Sequence, residues 1–216
     1  MGAFTEQPIY AQLARMGKAL SNPARLRLLH LLEQREQTVE ELAGRAGVGL
    51  KNTSAQLQQL RAANLVAVRR DGTRMYYRLA DPEISRFLGV FEEFAEGRLA
   101  DLRDAVAAHL GDPAELWPVS VAELKRRLDD PGTLLLDVRS AADYADGHVP
   151  GAVSVPFEQL ADRLAELPTG GKVIAYCQGP YCVVSPKAVR LLRDFGYSAR
   201  PLAGGFTAWQ RSMVTG

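Results

Sequence analysis

The stretch TVEELAGRAGVGLKNTSAQLQQLRAANLVAVRRDGTRMYYRL, residues 38–79, holds two amphipathic segments followed by two strand-like arms. Thr38 begins the first segment with the pattern of a helix capping box. Residues 49–65 have the apolar spacing of a second helix. The two arms flank Asp71-Gly72, a strong signal for a β-hairpin. The stretch therefore predicts helix, turn, helix and hairpin.

Charge is distributed unevenly around this stretch. The chain has 216 residues and a net charge of only +1. Residues 44–78 nevertheless hold seven basic residues and one acid, whereas residues 79–115 hold three basic residues and nine acids. A basic surface on one side of a domain is typical of nucleic-acid binding. The alternative is that solvated faces segregate without function.

The second predicted helix has the size that fits the major groove of B-DNA. Its early side chains can donate to and accept from base edges, and arginines at a hairpin tip suit phosphates or a narrow minor groove. Each residue alone is more simply an exposed polar position, but together with the hairpin and the charge they predict DNA binding. The candidates are Lys51, Asn52, Thr53, Ser54 and Gln56 on the helix, with Arg69, Arg70 and Arg74 on the hairpin.

Residues 8–110 resemble the ArsR family of bacterial repressors, in motifs such as LSNPARLRLLHLL and VEELAGRAGV. The resemblance implies a winged helix-turn-helix homodimer that binds double-stranded operator DNA, with the first and last helices at the dimer contact. One long helix is predicted over residues 82–110, and its wide apolar stripe suits a partner subunit. The alternative is that this helix covers its own domain. The cysteine pair and the second histidine of metal-sensing members are missing, so no metal site is predicted.

The segment GDPAELWP has the Pro and Gly punctuation of a domain boundary. Three buried-type strands follow, TLLLDV, AVSVP and KVIAYC, with helical segments between them. This alternation predicts an α/β unit with a parallel sheet. The predicted domains are residues 1–112, a mainly α winged helix-turn-helix with a β-hairpin wing, and residues 113–216, an α/β domain.

Residues 117–212 resemble a rhodanese domain. The motifs that carry the resemblance are Asp137-Val-Arg139, Gly147-His148-Val-Pro150-Gly151-Ala152, and Gly204-Gly205 before Trp209. In rhodaneses the cysteine after the central strand carries sulfane sulfur as a persulfide. The resemblance implies that role for Cys177. Catalytic rhodaneses often hold an arginine in the following loop, which binds anionic donors such as thiosulfate, and this loop has no basic residue.

A physical argument also favours a reactive Cys177. The residue ends a buried strand, where open α/β sheets bind ligands, and a short loop then enters a helix. Backbone N–H groups in such a loop and the helix N-terminus lower the pKa of a thiol. The predicted sulfur-binding or anion-binding loop also contains Gln178, Gly179, Pro180, Tyr181 and Val183.

Cys182, the only other cysteine, is placed to resolve a Cys177 persulfide into a disulfide or a sulfur-bridged link. The alternative is that it is a small buried hydrophobe. Two cysteines alone lack the four ligands that zinc requires, so neither a metal nor any other cofactor is predicted.

Three functions remain open from the sequence. The favoured one is a dimeric transcriptional repressor, joined through its N-terminal helix and helix 82–110, whose rhodanese domain senses a small sulfur species by redox chemistry. The second is a sulfurtransferase with rhodanese turnover as its main output. The third is a catalytically silent rhodanese domain that serves as an interaction module. The chain has no apolar run long enough for a membrane helix and no secretory signal, so a cytoplasmic location is expected.

Overall fold

The computed structural model describes residues 8–128, 130–168 and 171–213. The chain divides into two compact units, the first ending at Leu88 and the second beginning at Gly89. Each unit has hydrophobic clusters of its own. The division lies upstream of the boundary predicted at residues 112 and 113, because helical residues before that boundary bond to side chains beyond it.

The first unit combines helices with a small antiparallel sheet. Its elements are α1 (Pro8–Leu20), α2 (Pro23–Leu32), β1 (Gln37–Thr38), α3 (Val39–Ala46), α4 (Leu50–Ala62), β2 (Val66–Asp71) and β3 (Arg74–Leu79). The sheet order is β1-β3-β2. The predicted winged helix-turn-helix is confirmed, with α3 and α4 as the helix pair and β2 and β3 as the wing.

The residues at the two ends of α3 determine where this helix begins and where it ends. The amide of Glu41 donates to Thr38 Oγ1 at 3.3 Å, and the amide of Thr38 donates to the Glu41 carboxylate at 2.7 Å, which completes the capping box. Gly47 ends α3 with φ +65°, a left-handed conformation that glycine adopts without strain. Leu42 and Leu57 are fully buried on the facing sides of α3 and α4.

The hairpin turns one residue later than its sequence signal. Asp71 pairs with Arg74 across the ladder, so the two loop residues are Gly72 and Thr73. Gly72 has φ +58°, as expected for glycine at the first position of a two-residue hairpin loop. The arginines of the wing therefore lie close to its tip.

The single long helix predicted over residues 82–110 is wrong, because the structure has two helices there. These are α5 (Pro82–Arg98) and α6 (Ala100–Leu110). Leu99 between them is extended, with φ −106° and ψ 108°. Gly97 disfavours helix near the end of α5, since glycine in a helix costs about 1 kcal/mol of stability relative to alanine. The guanidinium of Arg103 donates to the Glu96 carbonyl at 2.8 Å, which satisfies an acceptor at this helix end.

The second unit contains the predicted parallel sheet, in the order β5-β4-β6-β7. Beyond α6, its elements are α7 (Pro113–Leu116), α8 (Val121–Lys125), β4 (Thr133–Asp137), α9 (Ala141–Asp146), β5 (Val153–Ser154), α10 (Phe157–Arg163), β6 (Lys172–Tyr176), α11 (Val184–Asp194), β7 (Ser198–Pro201) and α12 (Gly205–Arg211). The sequence pattern missed β7, whose four residues SARP include an arginine and a proline. Because β6 lies inside the sheet, the residues that follow it emerge in the middle of the carboxyl edge.

Candidate nucleic-acid interface and dithiol loop

The first turns of α4 present polar side chains to solvent. Lys51 and Asn52 are exposed, and Ser54 is half-buried. An exposed lysine can reach phosphates, and an exposed asparagine amide can pair with an adenine edge. These positions are therefore compatible with the predicted role in DNA contact.

Thr53 is a correction to the predicted set. Its side chain is fully buried, and its hydroxyl lies 3.3 Å from the carbonyl oxygen of Val48. One helical turn has only some positions that face solvent, and Thr53 lies on the inner face with the leucines of α4. It therefore holds the turn before α4 and does not reach a base.

Gln56 is held by neighbours in the same unit. Its amide nitrogen donates to Asn52 Oδ1 at 2.9 Å, and Arg25 donates to its oxygen at 2.8 Å. Arg25 is itself fixed by the carbonyls of Lys18 and Ala19, both at 2.5 Å. The sequence analysis did not find Arg25, which its charge alone does not distinguish from other arginines. Its contacts orient the Asn52 side chain on the exposed face of α4.

The three wing arginines have different surroundings. Arg69 forms ion pairs with Glu36 and Asp71, and its hydrogen bond to Glu36 lowers the pKa of that carboxyl. Arg70 donates to the Gly72 carbonyl at 2.9 Å, and Arg74 is exposed beside the turn. Two carboxylates already offset the charge of Arg69. Arg70 and Arg74 are therefore the stronger candidates for phosphate contact.

Cys177 follows β6 directly and is 2% exposed. Its sulfur lies 3.2 Å from Ser185 Oγ and 3.3 Å from the carbonyl oxygen of Cys182. Burial, together with the neighbouring Cys182, raises the pKa of the Cys177 thiol well above its usual range. Cys177 is therefore held as a neutral thiol.

Cys182 has the opposite electrostatics. A hydrogen bond from Cys177 and the backbone N–H groups of Val184, Gln178 and Gly179 lower the pKa of Cys182 to about 6, against a smaller opposing effect of burial. The sequence argument that the loop lowers the pKa of Cys177 is therefore wrong. The loop does form an anion-stabilising nest, but three of its N–H groups are directed at Cys182 and only that of Ser185 at Cys177.

The rest of the loop is fixed through its backbone. The Gln178 carbonyl accepts from both the amide and the hydroxyl of Thr207 at 2.9 Å, and the Cys182 amide donates to the Gly179 carbonyl at 3.2 Å. Gly179 is not among the glycines with a left-handed conformation. Gly205 has that conformation, with φ +58°, and an added Cβ there would lie 2.6 Å from the Cys177 carbonyl oxygen. The Gly204-Gly205 motif thus lets the chain approach the cysteine loop.

The buried ion pair of Arg139 with Asp137 lies next to the cysteine loop. Arg139 Nη2 lies 2.6 Å from Asp137 Oδ2 and donates to the Gly147 carbonyl at 2.7 Å. Its guanidinium also stacks over the ring of Phe206, 4.1 Å from the centroid. The only loop side chain that this arginine meets among the described hydrogen bonds is that of Gln178, at 3.5 Å. Two motifs of the rhodanese resemblance therefore have structural roles here.

Tyr181 connects the cysteine loop to the helices before it. Its hydroxyl lies 3.4 Å from the carboxylate of Glu96 on α5, and its carbonyl accepts from His109 Nε2 on α6 at 3.1 Å. A second link joins Arg211 to Glu92 of α5 at 3.0 Å. Nothing in the local sequence of His109 indicates a partner 72 residues away.

The described residues contain neither a metal-binding cluster nor a membrane-spanning helix. In residues 8–128, 130–168 and 171–213, no three His, Cys, Asp or Glu side chains are grouped so that they could hold a metal ion. Over the same part of the chain, no helix has the length and apolar character needed to span a membrane.

Comparison with known proteins identifies relatives for both halves. Residues 20–69 match the family described as helix-turn-helix domain, and residues 120–212 match the rhodanese-like domain. The HTH-type transcriptional regulator Rv0324 of Mycobacterium tuberculosis is 44% identical over 199 residues, which cover 92% of this chain and 87% of that protein. The likeness therefore extends through both domains.

Two further relatives cover one half each. A sulfurtransferase of Allochromatium vinosum is 33% identical over 88 residues, 40% of this chain and 80% of that protein. The solution structure of the homodimeric winged helix-turn-helix DNA-binding domain Mb0332 from Mycobacterium bovis is 39% identical, with a TM-score of 0.41. It covers 47% of this chain and 95% of that one.

Proposed function

The chain belongs to the ArsR-like helix-turn-helix transcriptional regulators that carry a C-terminal rhodanese domain, and on that premise we propose that it is a cytoplasmic, homodimeric repressor that releases DNA in response to reactive sulfur. The signal is a persulfide or polysulfide that reacts with the Cys177 and Cys182 pair. The observation that carries this proposal is one loop that holds both thiols and, through Tyr181, contacts α5 and α6.

DNA contact is assigned to α4 and the wing. Lys51, Asn52 and Ser54 would face the major groove, with Gln56 orienting Asn52. Arg70 and Arg74 at the hairpin tip would meet the flanking backbone or the minor groove. The basic charge of residues 44–78 supplies the long-range attraction that nucleic acid requires.

Dimerisation is assigned to the apolar faces of α1 and α5. Ile9 and Leu13 are 68% and 63% exposed, and Val90 and Phe94 are 62% and 63% exposed. Large apolar side chains exposed one turn apart on a helix are typical of an interaction surface. A second copy of the chain would cover them, as the ArsR resemblance implies for the first and last helices.

The route of the signal follows from the contacts of Tyr181. Formation of a persulfide or disulfide changes the volume and charge of the loop, and the Tyr181 contacts with Glu96 and His109 shift with it. The helix α5 begins in the first unit and continues into the second. Sulfur chemistry therefore biases the helix that also belongs to the proposed dimer surface, as a redox switch does.

The test is an operator-binding assay with the full-length protein. The operator is first selected from random duplexes, and its affinity is then measured before polysulfide treatment, after it, and after reductant. The proposal predicts that polysulfide weakens binding at least about tenfold, a coupling of about 1.4 kcal/mol, and that reductant restores it. A Cys177→Ser/Cys182→Ser double variant should bind equally in all three states. Equal affinity of the wild type in all three states would contradict the proposal.

A further inference from the structure

The two thiols differ in their access to a ligand. A cavity of about 70 Å³ lies beside the loop, lined in part by Cys182, Gly179, Pro180 and Ser185. Its described lining does not include Cys177. A water molecule takes about 30 Å³ in the liquid, so the cavity has the volume of about two water molecules. A short sulfur chain fits a space of this size. A small sulfur donor in the cavity would meet Cys182 first.

The two sulfurs also differ in the number of backbone N–H groups directed at them, three at Cys182 and one at Cys177. Backbone N–H groups point at Cys182 Sγ, and donors of this kind stabilise a thiolate. Cys177 Sγ receives one backbone N–H, that of Ser185, and itself donates towards the carbonyl oxygen of Cys182 at 3.3 Å. An acceptor of this kind stabilises the protonated thiol. Since the thiolate is the nucleophile, this arrangement prepares Cys182 to attack and keeps Cys177 protonated.

From this geometry we infer that Cys182 is the thiolate that first attacks a persulfide or polysulfide donor, and that Cys177 resolves the product. The inference rests on the proposed sulfur sensing and assigns the order of its steps. That order is the reverse of the one implied by the rhodanese resemblance, in which Cys177 accepts the sulfur.

Both steps balance in atoms and electrons. In the first, the Cys182 thiolate bonds to the sulfane sulfur of R–S–SH, the S–S bond of the donor breaks, and its electron pair leaves on RS⁻. In the second, Cys177 sulfur bonds to Cys182 Sγ, the bond to the added sulfur breaks, and HS⁻ leaves with the proton of Cys177 as H₂S. The products are a Cys177–Cys182 disulfide and sulfide, so the two thiols are oxidised and the sulfane sulfur is reduced.

Inorganic polysulfide is the probe for the test. Full-length wild type, Cys177→Ser and Cys182→Ser are treated at neutral pH, quenched with iodoacetamide at short times and mapped by peptide mass spectrometry. We expect Cys177→Ser to keep one added sulfur on Cys182, because no thiol resolves it. We expect wild type to form the disulfide, and Cys182→Ser to take up sulfur at least about tenfold more slowly, as the lower thiolate content of Cys177 dictates.

A second measurement needs no substitution. In the untreated wild type, iodoacetamide should modify Cys182 before Cys177. Sulfur added to Cys177 in Cys182→Ser at the wild-type rate, or alkylation of Cys177 first, would overturn the inference and leave the proposed sensing intact. Absence of added sulfur and of disulfide from all three proteins would overturn both. The two failures are therefore distinguishable.

Discussion

The start of α4, which is proposed to face DNA, and the dithiol loop before α11 both lie at the beginning of a helix, but they present different donors. At α4 the groups offered to a ligand are the side chains Lys51, Asn52 and Ser54. In the dithiol loop the donors are backbone N–H groups of Gln178, Gly179 and Val184, and they already surround a sulfur of the same loop. The first surface is open to a partner, whereas the second is occupied by Cys182.

Because of this difference, substitutions are expected to act differently at the two sites. Side chains on α4 act separately, so single substitutions there should weaken DNA binding in steps. The loop depends on one backbone path that passes close to Gly205, so a change in that path should affect both thiols together. Substitutions in the two regions should therefore differ in size and in kind.

The largest effect is expected from Gly205→Ala. The added Cβ would lie 2.6 Å from the Cys177 carbonyl oxygen and 3.0 Å from the Gly179 nitrogen, at a φ of +58°. We expect the free energy of unfolding of the second unit to fall by about 2–4 kcal/mol. Both tryptophans, Trp117 and Trp209, lie in that unit, so their fluorescence during urea unfolding provides the measurement.

Gly151→Ala is the matched control for that substitution. Gly151 also has a positive φ, +78°, but no atom lies within 4 Å of the Cβ it would gain. It isolates the backbone strain of a left-handed residue, about 1–2 kcal/mol. Equal losses in the two variants would show that the close approach of Gly205 to the loop does not matter.

Asn52→Ala tests the open surface. Removal of an amide that pairs with a base costs about 1–3 kcal/mol of discrimination, so affinity for the selected operator should fall about 5-fold to 150-fold. Sulfur uptake by the loop should not change. Gln58→Ala, an exposed position on the same helix outside the predicted set, should bind like wild type. Titration of labelled operator measures both, and similar losses would remove the specific role of Asn52.

The pH dependence of alkylation tests the electrostatics of the loop. The pKa of Cys182 is lowered to about 6 by Cys177 and the backbone N–H groups, so its thiolate forms as the pH rises through 6. The rate of its reaction with iodoacetamide should increase about tenfold between pH 5 and pH 7 and then level off. In urea-unfolded protein the midpoint should move to about 8.5. A native midpoint above pH 8 would contradict the thiolate assignment.

The wing arginines should separate in a salt titration. Arg74→Gln removes a cation without a close carboxylate partner among the described ion pairs, so the slope of log affinity against log salt should decrease by about one. Arg69→Gln should change the slope less, because Glu36 and Asp71 already offset that charge. The reverse order would mean that Arg69 leaves its carboxylates when DNA binds.

The smallest effect is expected from Tyr181→Phe, which removes the hydroxyl that contacts Glu96. A single hydrogen bond contributes about 0.5–1.5 kcal/mol, so the polysulfide response of DNA binding should shrink about 2-fold to 12-fold while sulfur uptake stays normal. Tyr197→Phe is the control, since its hydroxyl donates to the Leu164 carbonyl at 2.8 Å in the same unit. If both variants respond like wild type, this contact does not carry the signal.

Local sequence signals were sufficient to predict most elements of the first unit and to identify the cysteine loop. The capping box at Thr38 and the hairpin signal near Gly72 depend on neighbouring residues, and both predict elements that the structure contains. The break at Leu99 and the short strand β7 were missed, because each depends on weak local preferences that packing overrides. Burial of Thr53 was missed because the apolar spacing of α4 does not show which of its polar positions face inward.

The distribution of charge between the thiols could not be predicted from the sequence. Cys177 and Cys182 are both loop cysteines before one helix, and the direction of the N–H groups decides which sulfur is the thiolate. The roles of Arg25 and His109 were also out of reach, since their partners are 31 and 72 residues away. Such contacts arise only when the chain is folded.

Sulfur chemistry in the dithiol loop is proposed to decide whether the protein holds DNA. The most direct measurement treats operator-bound protein with polysulfide until about half of it is modified, separates DNA-bound from free protein, and maps both cysteines in each fraction. We expect free thiols in the bound fraction and persulfide or disulfide at Cys177 and Cys182 in the free fraction. The same extent of modification in both fractions would contradict this proposal.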